Sequence, residues 1–113
     1  TYILAAASPT FSIPKIVYAN GYGRNGSIVK NNTHYGIQLP LESPSPLFWV
    51  HYSYLGMNPN FTDEYANYWT QNVNATRINQ AYCIANPRGF IGYSQDCWGL
   101  TSSDTPGGYA AHA

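Results

Sequence analysis

The chain carries five carboxylates, Glu42, Asp63, Glu64, Asp96 and Asp104, and their neighbours decide which of them could do chemistry. Asp63 and Glu64 follow Thr62 at the expected start of a helix, where acids complement the positive end of the macrodipole. Glu42, between Leu41 and Ser43-Pro44, reads as a solvated loop charge, and Asp96 beside Cys97 as a turn cap. Asp104 differs. It lies in Cys97-Trp98-Gly99-Leu100-Thr101-Ser102-Ser103-Asp104-Thr105-Pro106-Gly107-Gly108-Tyr109, among hydroxyls, an indole and a phenol. There a carboxylate can hold sugar hydroxyls or act as a general acid or base; it can equally close an Asx-turn. Arg88, the nearest cation, stands well before this stretch, so a phosphate has no counterpart in it. Ser102 and Ser103 lack the G-x-S-x-G context of an activated nucleophile.

The rest of the composition points the same way. Charged residues make up 9% of the 113 residues, against about 25% in ordinary soluble domains. Aromatic residues reach 16% and the net charge is zero. With no basic run, counterion-release binding to nucleic acid has no basis. A neutral surface rich in hydroxyls and rings suits a neutral polyol, although an ordinary aromatic core under an uncharged surface gives the same totals. No apolar run approaches the roughly 20 residues of a membrane span, and no charged region followed by an apolar run reads as a signal peptide. No phosphate-cradling loop or metal motif appears, and no cofactor is expected. Cys83 and Cys97 lack C-x-x-C spacing and a histidine at ligand spacing, which argues against zinc. They are either a disulfide or two buried thiols.

The elements that would position these groups are mainly helical. Residues 1–7 look like a helix that Ser8-Pro9 ends, and residues 12–17 can start another. Residues 20–33 read as a loop or weak hairpin, with Asn25-Gly26 as the strongest turn signal; residues 35–41 are too interrupted for a clear strand. Ser45 as N-cap, Pro46 at N1 and Gly56 at C′ bound a helix over 47–55. It carries Phe48, Trp49, Tyr52 and Tyr54 nearly all round, so it should be buried. His51 lies in it, as a hydrogen-bonded core residue or a site residue. The longest helix runs from Thr62 as N-cap to Ala85, stopped by Asn86-Pro87. Its core stripe is Tyr65, Trp69, Val73 and Thr76 with Ala66, Ala81 and Tyr82; Asn67, Gln71, Asn74 and Gln80 form the opposite, polar face. Gly99, Pro106, Gly107 and Gly108 argue against regular structure after Cys97, with a tight turn at 105–108. Four Asn-x-Ser/Thr sequons, at Asn25, Asn31, Asn60 and Asn74, carry no weight in so asparagine-rich a chain. Three helical segments without paired strands do not close a core, so the chain is expected to be a helical portion of a larger domain.

The motifs also have a characteristic order. Tyr2-Ile3-Leu4-Ala5 with Ala7-Ser8-Pro9-Thr10 is followed by Tyr35-Gly36-Ile37-Gln38-Leu39-Pro40-Leu41. Next come residues 46–56, then Tyr65-Ala66-Asn67-Tyr68-Trp69 with Gln71-Asn72-Val73-Asn74, and finally Cys97-Trp98-Gly99-Leu100-Thr101-Ser102-Ser103-Asp104 with Gly108-Tyr109. Over essentially its whole length the chain resembles the bacterial glucoamylase-like glycosidases, a group that includes endo-β-1,2-glucanases. The resemblance implies part of an α/α toroid, a ring of paired helices around a sugar cleft. It also implies hydrolysis of glucosidic bonds in a glucan with inversion, and export to the periplasm or beyond. It places the family's general acid just before the position of Tyr2. It assigns Asp104 and His51 to polar contacts in the cleft, and Trp98 and Tyr52 to packing or stacking on a sugar ring. Where family members often read G-I-E-L-P, this chain has Gln38. Its amide can bond a hydroxyl but cannot donate a proton as an acid.

Overall fold

The longest element, helix α4 (Tyr68–Ala85), is the support on which its neighbours rest. The computed structural model describes residues 1–41 and 45–111; the reading of Glu42 lies outside them. Two short helices, α1 (Tyr2–Ala6) and α2 (Lys15–Gly21), open the chain. An antiparallel hairpin follows, β1 (Val29–His34) and β2 (Ile37–Leu41). Helix α3 (Leu47–His51) runs into a 3₁₀ turn at Tyr52–Tyr54. After α4 comes a second antiparallel hairpin, β3 (Ser102–Thr105) and β4 (Gly108–Ala111).

These two hairpins correct the expectation of a chain without paired strands. The first turns at Tyr35-Gly36, where φ is 53° and 76°. Both central residues are left-handed, as a two-residue hairpin turn requires. Asn25-Gly26, the stronger signal in sequence, also has positive φ but sits in a 3₁₀ turn before β1. The turn at 105–108 is present, with Thr105 opposite Gly108. What the prolines and glycines do not prevent is strand pairing on either side of it. Gly108, at φ 122°, takes a conformation that a side chain would oppose.

Helix α4 ends as read, with Asn86 left-handed at the C-cap ahead of Pro87. Its start differs. Asn67 is the N-cap, its side chain accepting the Thr70 N–H at 2.9 Å. Thr62 instead forms an isolated bridge with Asn67. Asp63 Oδ1 accepts the N–H groups of Tyr65 and Ala66, closing a turn that competes with the helix. Ser45 is no cap either, since Pro46 holds the N-cap position of α3 and no side chain caps it.

The buried face of α4 is Tyr68, Gln71, Asn72, Ala75, Ile78, Asn79 and Cys83. The spacing is helical, but the chemistry is half polar, and of the stripe read as core Ala66 is buried while Trp69 is 54% exposed. Apolar packing forms two small clusters, Ile28–Leu41–Ala66–Tyr68 and Leu39–Ala75–Ile78. The aromatic helix expected to be buried is open, with Trp49, Tyr52 and Leu55 all more than half exposed. No helix of the described residues is long and apolar enough to cross a membrane.

Candidate functional site

Side-chain amides on α4 hold the main chain at or near the candidate residues. Gln71 Oε1 accepts the Leu41 N–H at 3.1 Å, and its Nε2 donates to the Leu41 carbonyl at 3.2 Å, anchoring the end of β2. Asn74 Nδ2 donates to the Gln38 carbonyl at 2.8 Å, leaving the Gln38 side chain at the surface. Asn79 Oδ1 accepts two successive amides, Gly99 at 3.2 Å and Leu100 at 3.0 Å. The Leu100 carbonyl accepts the Leu47 N–H at 3.3 Å, tying the same segment to the start of α3. Trp98, 41% exposed, immediately precedes this clamp, and β3 with Asp104 follows it.

His51 is held by side chains of α4. Asn72 Nδ2 donates to the Tyr68 carbonyl at 2.7 Å, so its oxygen faces His51 Nδ1 at 2.9 Å, and Nδ1 is the donor. Nε2 lies 3.1 Å from Thr76 Oγ1. Both ring nitrogens are engaged, and His51 braces α3 against α4. Tyr52, next in the chain, is 68% exposed.

Asp104 is an exposed residue of β3 whose cross-strand partner is Tyr109. Directly opposed residues of an antiparallel pair share a face, so carboxylate and phenol stand side by side. The other carboxylates have local work. Glu64 pairs with Lys15 at 3.3 Å, and the backbone of Asp96 belongs to the turn at 94–97, donating its N–H to Ser94 Oγ. Asp63 is the largest departure from expectation. Its Oδ2 accepts the hydroxyls of Tyr18 and, at 2.8 Å, Tyr68, which lie 3.1 Å apart. Burial pushes the Asp63 carboxyl up, but hydrogen bonds from both tyrosines and from the amides of Tyr65 and Ala66 prevail and hold it below the ordinary value. Burial, with the bond to Asp63, raises the Tyr18 hydroxyl well above its ordinary range.

These tyrosines border a cavity of about 610 Å³ between α1, α2, α3, β2 and α4. Tyr2, Tyr18, Tyr22, Tyr54, Phe61 and Tyr68 supply its aromatic wall, while Ile28, Leu39 and Leu41 make another part aliphatic. None of Gln38, His51, Tyr52, Trp98 or Asp104 lines it. The only sequence signal for this cluster was the abundance of tyrosine, 11 in the chain. Cys83 is fully buried and Cys97 exposed, both as thiols. Among the described residues, no group of three or more His, Cys, Asp or Glu side chains gathers as metal ligands would.

Known proteins share this arrangement of chain. An exo β-1,2-glucooligosaccharide sophorohydrolase of Parabacteroides distasonis is 40% identical over 98% of the chain. The endo-β-1,2-glucanase of Chitinophaga pinensis, solved with sophorotriose and glucose, superposes with a TM-score of 0.92 at 50% identity over 99% of the chain. A β-1,2-glucanase of Parabacteroides distasonis gives a TM-score of 0.83 at 40% identity over 98% of it. The chain spans 18% of the sophorohydrolase, 28% of the Chitinophaga glucanase and 19% of the Parabacteroides glucanase. The family profile of the glycoamylases, the glucoamylase group, matches residues 1–113, and the chain belongs to that family.

Proposed function

We propose that the chain is part of a glycoside hydrolase that cleaves glucosidic bonds in a β-1,2-linked glucan. The observation that carries this reading is identity of 40–50% over 98–99% of the chain with proteins named for β-1,2-glucan substrates. The full reading includes an α/α toroid, export from the cytoplasm and carboxylate catalysis with inversion. In that mechanism one carboxylic acid protonates the leaving oxygen, while a carboxylate on the opposite face activates water. Asp104 supplies one of these carboxyl groups, since it is an exposed acid beside an aromatic partner, with Trp98 a few residues upstream. Trp98 and Tyr52 offer ring faces to sugar, and Gln38 offers an amide to a hydroxyl. His51, occupied on both nitrogens, holds the support beneath them.

The test is Asp104→Asn in the full-length protein that carries this chain, assayed for reducing sugar released from β-1,2-glucan. Turnover falls by orders of magnitude with folding unchanged; wild-type turnover would remove Asp104 from the chemistry. Following the anomer first released reports inversion directly. Gln38, where a glutamate is common in the family, favours a second reading, a glucan-binding protein without hydrolysis. Binding of β-1,2-glucan by the wild-type protein without release of sugar would establish it.

A further inference from the structure

The two cysteines lie in sequence between the partners of the Asn79 clamp, Cys83 four residues after Asn79 and Cys97 two before Gly99. Asn79 and Cys83 are four residues apart on α4, hence on one face, and both are buried. Asn79 Oδ1 accepts the Gly99 N–H at 3.2 Å, one helical turn from Cys83. Cys97 stands two residues before Gly99, in a turn closed both ways: Ser94 N–H to the Cys97 carbonyl at 3.1 Å, and Cys97 N–H to the Ser94 carbonyl at 3.4 Å. One anchored glycine, two residues after Cys97 and bonded one helical turn from Cys83, therefore keeps an exposed thiol close to a buried one. We propose that Cys83 and Cys97 form a reversible disulfide that fastens the segment carrying Trp98 to the last turn of α4.

The oxidant is a low-molecular-weight disulfide, and the exchange has two steps. The exposed Cys97 thiolate attacks it, its S–S bond breaks, and one small thiolate leaves. The Cys83 thiolate then attacks the Cys97 sulfur, expelling the second small thiolate; each protein thiol has given up its proton to solvent. The pair is oxidised and one small disulfide is reduced to two thiols. Cys83 is the slower partner, because burial raises its thiol above the ordinary range, so closure quickens as pH rises.

The full-length protein is incubated with oxidised glutathione, and its peptides are mapped without reduction. The wild type loses both thiols, yields the Cys83–Cys97 cross-linked pair and retains no glutathione. Cys83→Ala stops at glutathione held on Cys97, and Cys97→Ser takes up none at Cys83. A wild type that stops at the Cys97 adduct, or keeps both thiols, overturns the proposal. The outcome is independent of the substrate, so it stands or falls apart from the glucan reading.

Discussion

Replacing Gln71 by leucine separates the observed fold from the one hydropathy suggests. On a solvent face the change would move stability by no more than about 0.5 kcal/mol. Gln71 is instead 8% exposed and holds both backbone groups of Leu41. Leucine fills a similar volume but can neither donate nor accept. The stranded N–H and C=O each cost roughly 1–3 kcal/mol, and the better burial of leucine returns about 1.5, for a net loss of about 2.5 kcal/mol. Because the damage is local to the end of β2, it is best read by native-state hydrogen exchange at Leu41 and its strand neighbours. The opening equilibrium there rises about 60-fold, while amides in β3 and β4 change little. Exchange at Leu41 within about threefold of wild type would refute the reasoning, since it would mean that the Leu41 backbone has water or another partner in hand.

Other perturbations address the tyrosine cluster. The Asp63 pKa is depressed in the fold, so its contribution is present above the unfolded value, near 3.8, and is lost as pH falls through the folded value. Asp63→Asn should therefore lower the urea midpoint at neutral pH and flatten its dependence on pH below about 4; a variant that keeps the wild-type acid limb would contradict this. At the other extreme, burial and then the charge of Tyr22 push the Tyr54 hydroxyl up to about 12. Its contribution is whole below about 10, the ordinary tyrosine value, and disappears as pH rises through 12. Near-ultraviolet titration should show a late-ionising class of tyrosines whose onset coincides with unfolding, and Tyr54→Phe should remove one member of it.

The readable parts of the fold were those fixed by local chemistry. Asn86-Pro87 stops α4 because a left-handed asparagine and a proline leave no alternative, and the turn at 105–108 follows from its own residues. The errors have one cause. Sequence patterning sorts residues by hydropathy, whereas α4 buries Gln71 and Asn79 in order to bond backbone groups distant in sequence, and Asn72 to bond the His51 ring. Such partners are invisible until the chain is folded, so the helix appeared to face the other way. Asp63 misled for a similar reason: an acid after a threonine resembles a helix start, and the tyrosine gathered on it lies 45 residues earlier. For the site, Asp104 and Trp98 are both exposed. His51, for which sequence left two roles open, has both ring nitrogens against α4.

Three amides of α4 read main chain rather than side chain. Asn74 grips the carbonyl of residue 38, Gln71 both backbone groups of residue 41, and Asn79 the amides of residues 99 and 100. A support of this kind does not register which side chains its clients carry. Residue 38 can pass from glutamate to glutamine, or residue 98 from one ring to another, while strand and loop remain seated. Scaffold and surface thus answer to different selections, and relatives can drift in what they recognise at nearly constant stability.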